Sequence, residues 1–148
     1  MLSIIKMDCK HLDEVVSMMK EFYSSNAVDH NVEIDIIKQT AKDAVDDKIL
    51  SLKGVILTDK INILGYAYIT SFYSCECAGE SVMLEELFIK SEFRGKGYGK
   101  EFFSWLFKEY PSAKRFRLEV TKCNENAMKL YKKIGFNNLN YLQMVYDR

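Results

Sequence analysis

Apolar residues in the first part of the chain recur every three or four positions. Leu12, Val15, Val16, Met19, Phe22 and Tyr23 fall on one helix face, after a short β-like run at 2–7. A second helical stretch over roughly 32–46 sets Ile34, Ile37, Ala41 and Val45 on one face and is polar elsewhere. The pattern then changes. Residues 49–58 and 61–73 are rich in Ile, Val, Leu and Tyr and are split by Asp59 and Lys60, which predicts two strands joined as a hairpin. Cys75 to Ser81, with Gly79, reads as the next turn, and VMLEELFI at 82–89 as a further strand. A helix at about 97–110, a strand at 115–120, a helix at 124–134 and a final strand near 141–147 complete the order β-α-α-β-β-β-α-β-α-β. That order predicts an α/β fold, α+β in its layering, with helices packed on one mostly antiparallel sheet. No repeat, linker or low-complexity tract interrupts it, so residues 1–148 are read as one domain.

Composition narrows the partners. With 21 basic and 21 acidic residues, no overall basic excess draws the chain to nucleic acid or to an anionic membrane, and neither is expected as a partner. The four cysteines, Cys9, Cys75, Cys77 and Cys123, are scattered and have no histidine at metal-ligand spacing. Reduced thiols and no metal are the expectation. The run MLSIIKMDCK is broken by Lys6 and Asp8, and no segment has the apolar length of a membrane span, so a cytoplasmic location is expected.

The chemistry begins at FIKSEFRGKGYGKEFF, residues 88–103. Gly95, Gly97 and Gly99 follow a strand and open a helix, where glycine permits positive φ and lets a ligand reach bare backbone. The first helical N–H groups have no intrahelical partner and carry the positive end of the helix dipole, so the turn suits a phosphate or pyrophosphate. Arg94, Lys96 and Lys100 add formal charge. The triphosphate loop G-x-x-x-x-G-K-[ST] is absent, and the dinucleotide pattern G-x-G-x-x-G fails because Lys100 stands three residues after Gly97. Downstream, in CNENAMKLYKKIGF at 123–136, Asn124 is a good N-cap, Ala127, Leu130, Tyr131 and Ile134 recur at helical spacing, and Gly135 stands at a helix stop.

Two motifs in these segments carry a family resemblance. R-x-x-G-x-G, Arg94 to Gly99, resembles the pyrophosphate-binding signature of the GNAT superfamily of acyl-CoA-dependent N-acetyltransferases. Residues 124–136 resemble that family's second signature, N-x-x-A-x-x-x-Y-x-x-x-G-F, at every fixed position. The resemblance implies a mixed, mostly antiparallel sheet of six to seven strands with about four helices. It implies acetyl-CoA lying where the strand at 84–89 splays from the strand at 115–120, along Leu87, Phe88 and Ile89. The pyrophosphate would sit on residues 94–100, namely Arg94, Gly95, Lys96, Gly97, Tyr98, Gly99 and Lys100. Asn124 would contact the pantetheine arm, and Tyr131 would approach the thioester sulfur as general acid.

An aliphatic ammonium has a reference pKa of about 10.4, so a base must take its proton. Glu85 and Glu86 are the candidates. Adjacent strand residues face opposite sides of a sheet unless a bulge intervenes, so which of them faces the amine stays open. Glu119 is a lesser candidate, and Cys123 is not needed as a nucleophile because transfer can be direct. The run MLEELFIKSEFRGKGYG resembles the diamine and polyamine acetyltransferase branch, which implies a small polyamine-like amine, with Glu85 and Glu86 facing it and a homodimer allowed. Tyr23, Glu33 and Tyr73, in the 22–34 and 70–80 stretches, are the further substrate-side candidates. Other acceptors, namely a protein N-terminus or lysine, an aminoglycoside or an amino-acid-like amine, stay open, as does an acyl-CoA sensor without turnover.

Overall fold

A computed structural model describes Met1–Arg148. The elements in chain order are β1 (Ser3–Lys6), α1 (Leu12–Tyr23), α2 (Ile34–Asp43), β2 (Lys53–Thr58), β3 (Ile63–Ser74), β4 (Gly79–Ile89), α3 (Tyr98–Glu109), β5 (Arg115–Leu118) and α4 (Glu125–Ile134). Short 3₁₀ turns at Cys9–His11 and Ser91–Phe93 lead toward α1 and α3. Asp8 fixes the entry to α1 reciprocally: its side chain accepts from the Lys10 N–H while its own N–H donates to His11 Nδ1.

The strands form one sheet in the order β1-β2-β3-β4-β5, antiparallel except for the parallel β4–β5 pair. Alternation along the strands builds a core on each face. On one face Tyr66, Tyr68 and Phe88 pack with Val15, Met18 and Met19 of α1 and Ile37 and Ala41 of α2. On the other, Leu64, Ala67, Ile69, Val82 and Leu84 pack with Phe102, Phe103 and Leu106 of α3.

The sheet has five strands, not six to seven. The strand expected near 141–147 is absent, and nothing after Ile134 is helix or strand. Its apolar, β-prone residues suit a strand, but no sheet edge pairs with it. Leu142, Met144, Val145 and Tyr146 are accordingly 84–92% exposed. The segment is tied down at Tyr141, whose hydroxyl donates to Glu76 at 2.6 Å. No helix is long and apolar enough to cross a membrane.

Candidate active site

The site is organised by a defect in β4. Tyr68 pairs with Glu86, but Ile69 pairs with Leu84, so Glu85 is an extra residue on β4, a β-bulge. The bulge inverts the facing of the strand. Leu84 and Leu87 both pack on the α3 core, whereas Phe88 joins the α1 core. It also brings both carboxylates to the α1 side of the sheet. Glu86 accepts from Tyr66, and Glu85 accepts from Thr70 at 2.6 Å, where Thr70 shares the face of Tyr66 and Tyr68 by strand alternation. Both glutamates therefore lie on one face of the sheet.

Their environments differ. Glu85 is exposed. Glu86 is 7% exposed, and its two oxygens accept separately from the hydroxyls of Tyr23 on α1 and Tyr66 on β3. Burial raises the Glu86 carboxyl above the ordinary carboxylate range, against the lowering effect of the two tyrosine bonds, and the neighbouring Glu85 charge adds to the rise. Burial likewise pushes Tyr66 and Tyr68 well above 10.

The bulge also ends the β4–β5 ladder. β5 pairs with Ser81 to Leu84 and no further, so residues 85–89 have β3 as their only strand partner. The Lys90 N–H donates to the Leu64 carbonyl at 2.9 Å. Antiparallel alternation from that bond turns the main-chain groups of Leu87 and Ile89 away from β3, toward the side β5 has left. The Ile89 carbonyl is taken on that side by Arg94 Nε at 2.7 Å.

Below this open edge stands the glycine turn. Gly95 and Gly97 have φ of 76° and 87°, conformations that side chains rarely adopt, and nothing lies within 4 Å of where a Cβ would stand at either. The N–H groups of residues 95–97 have no main-chain acceptor, and those of Tyr98 and Gly99 open α3. Consecutive bare donors at a helix N-terminus form an anion cradle. Gly99 serves a different end: a Cβ there would stand 2.8 Å from the Leu130 side chain, so its smallness lets α4 close on α3. Arg94 does not point into the cradle. Its guanidinium lies 5.4 Å over the Phe88 ring and ties the turn to the end of β4. Lys96 and Lys100 are exposed beside the turn.

α4 brings Tyr131 to the α3 side of the sheet. Asn124 caps the helix, accepting from the Ala127 N–H, and Gly135 ends it at φ 113°. Tyr131 packs edge-on against Phe103, with ring centroids 5.7 Å apart, in the same core as Leu87 and Ile89. Burial pushes its phenol up to about 12. Carboxylates and phenol thus stand on opposite sides of the open β4 edge.

The remaining predicted residues are placed unequally. Tyr23 joins the site through Glu86 and also lines a cleft of about 490 Å³ between α1 and α2, with Lys20, Asn31 and Val32. Glu33 is exposed at the start of α2, and its main-chain carbonyl accepts from Ile36 and Ile37. Tyr73 pairs with Glu80 near the hairpin tip, well along β3 from the bulge, and is 70% exposed. Glu119 and Cys123 are exposed in the segment joining β5 to α4. Thr70, Tyr66 and Asn26 were not foreseen. Asn26 bridges to that segment, its side chain donating to the Cys123 carbonyl and its own carbonyl accepting from Thr121 at 2.6 Å. The Tyr-x-Tyr of GYAYIT was a legible signal, because two phenols on one strand face bring polar tips that need buried partners.

Known proteins share this fold. The chain superposes on a possible acetyltransferase from Clostridium difficile 630 with a TM-score of 0.80, at 17% identity, over 99% of this chain and 97% of that one. It superposes on AAC(6')-Iy, in complex with the bisubstrate analogue CoA-S-monomethyl-acetylneamine, with a TM-score of 0.78, at 16% identity, over 100% and 99% of the two chains. These likenesses establish the fold. A thialysine N-epsilon-acetyltransferase of Sus scrofa is 30% identical over 79 residues, 52% of this chain and 46% of that protein, so the chain spans about half the length of this curated relative. The model of the acetyltransferase (GNAT) family matches residues 14–136, from α1 through the glycine turn to the end of the Tyr131 motif, and the chain belongs to that family.

Proposed function

We propose that the protein transfers the acetyl group of acetyl-CoA directly to a primary amine, and that the amine is a small polyamine-like one. The observation that carries this reading is the open edge of β4 beyond the bulge, with acidic groups on one side, a protonated phenol on the other and a bare anion cradle at its foot.

Acetyl-CoA supplies an activated acyl group on a thiol that can leave. The residues fit it: the N–H groups at 95–99 would receive the pyrophosphate, and the Leu87 carbonyl and Ile89 N–H, turned away from β3, would receive the pantetheine amides. Holding an amine of pKa about 10.4 neutral at pH 7 costs roughly 4.6 kcal/mol, more than a single surface charge supplies, so a positioned base is required. Glu85, exposed on the acceptor side and oriented by Thr70, takes that proton directly or through water. The Leu87 N–H polarises the acyl carbonyl. Tyr131, with its phenol held protonated by burial, donates to the departing thiolate. The step needs no covalent protein intermediate, and Cys123 is left out of it.

Glu85, exposed on the acceptor face, suits a cation, and the thialysine relative is named for acetylating an epsilon amine. The test is thiol release from acetyl-CoA against diamines, polyamines, thialysine, aminoglycosides, amino acids and N-terminal peptides. Turnover concentrated on small di- and polyamines supports the reading. Turnover confined to peptides or aminoglycosides replaces the acceptor, and acetyl-CoA binding without turnover on any amine makes the protein an acyl-CoA sensor.

A further inference from the structure

Glu86 is a buried carboxylate that takes part in none of the chain's ion pairs. The charge that acts on it is the like charge of the neighbouring Glu85. Replacing a buried charge with an apolar group of similar size often leaves stability unchanged or raises it, so such a charge is poor cement. Its position is more telling than its energy. Glu86 is the residue directly after the bulge, and its two oxygens are held from two other elements, by Tyr23 at the end of α1 and by Tyr66 in the middle of β3. Tyr66 is fully buried, so one bond is anchored in the core, while Tyr23 sits at the cleft between α1 and α2. With both oxygens occupied by phenols and the side chain closed from solvent, Glu86 is poorly placed to receive an acceptor's proton itself.

We propose that Glu86 is a positioning residue: held between Tyr23 and Tyr66, it fixes the bulge, and thereby keeps Glu85 turned out to the acceptor and the Leu87 and Ile89 main chain turned to the β5 side. This inference rests on the acetyl-transfer reading for its functional consequence, but its structural content stands apart. A bulge leaves a strand locally under-paired and able to slip in register. Without the clamp, β4 can move its extra residue along the strand, and Glu85 then loses its place beside Thr70. Tyr66 and Tyr23 are positioning residues in the same sense.

The test compares the parent chain with E86L, which removes the charge and both phenol bonds at similar volume, and with E86Q, which keeps polar partners for the phenols. Amide hydrogen exchange in segment 84–90 reads the bulge, and turnover with saturating acetyl-CoA reads its use. In E86L, exchange of that segment should rise about tenfold or more while α3 and β2 stay unchanged. Its kcat should fall about tenfold or more, acetyl-CoA affinity should weaken alongside through the displaced Leu87 and Ile89 main chain, and E86Q should recover most of both losses. Unchanged exchange and kcat in E86L overturn the inference, as does a rise in exchange spread over the whole molecule rather than confined to segment 84–90. Should E86L fail to fold, Y66F is read by the same local exchange. If the parent chain turns over no amine, the acetyl-transfer reading fails, and the exchange of segment 84–90 alone decides the clamp.

Discussion

Tyr131 and Glu86 are both shifted by burial, and each shift has a measurable consequence. Because the Tyr131 phenol is pushed up to about 12, the proposed acid keeps its proton throughout the working pH range, and no alkaline fall in kcat should arise from it below about pH 10. Tyr131→Phe should lower kcat by about 100-fold while acetyl-CoA binding stays within about twofold; equal loss of both would make the phenol a binding group. For Glu86 the sign runs the other way from a salt-bridged carboxylate. Its folded value is raised, so its contribution to stability is present while it is protonated and is lost as pH rises through that raised value. Thermal midpoints measured from pH 4 to 7 should therefore shift in favour of E86Q over the parent as pH rises, and parallel curves would contradict the burial argument. At this scale the chemistry-bearing residues were legible as types but not as roles. Two adjacent glutamates in a strand announce a choice of face, yet only the bulge decides it, and a bulge depends on the partner strand's register.

Between β3 and β4 there is no room for a side chain at Gly65. A Cβ at Gly65 would stand 2.0 Å from the Phe88 carbonyl oxygen, which is main chain and cannot turn aside. Gly65→Ala should cost about 2–3 kcal/mol or more, read as a lower denaturation midpoint, and a neutral result would mean the strands part freely there. Gly97→Val acts differently. No atom stands in the way, but φ of 87° is costly for a side chain, by about 1–2 kcal/mol, and the side chain would occupy the cradle. Acetyl-CoA affinity should weaken by about tenfold or more, and unchanged affinity would remove the phosphate role of the turn. The helices were legible because their stripes are long: α1, α3 and α4 lie within a few residues of their expected bounds. α2 and β2 are shorter than expected, because apolar residues just outside them, Val32 and Val45 beside α2 and Leu52 before β2, pack on the core and extend the pattern beyond the element.

Across the whole molecule, the order of elements and the two motifs were enough to place the chain in its family. The arrangement that makes a site was not, because it depends on contacts far apart in sequence. Tyr23 and Glu86 are 63 residues apart, and Asn26 and Cys123 are 97 apart. The tail shows the converse limit. Its apolar run is as strand-like as that of 82–89, but a strand exists only where an edge receives it, and none does so here.

The central claim is direct transfer of an acetyl group to an amine. Its most direct test is a rapid-quench experiment in which the protein, acetyl-CoA carrying a labelled acetyl group and a small polyamine are mixed and both amine and intact protein are weighed by mass spectrometry. The account predicts label on the amine from the first turnover, with no acetylated protein at any time. Label appearing first on the protein, at Cys123 or elsewhere, or label that stays on CoA in the presence of every amine tried, would contradict it.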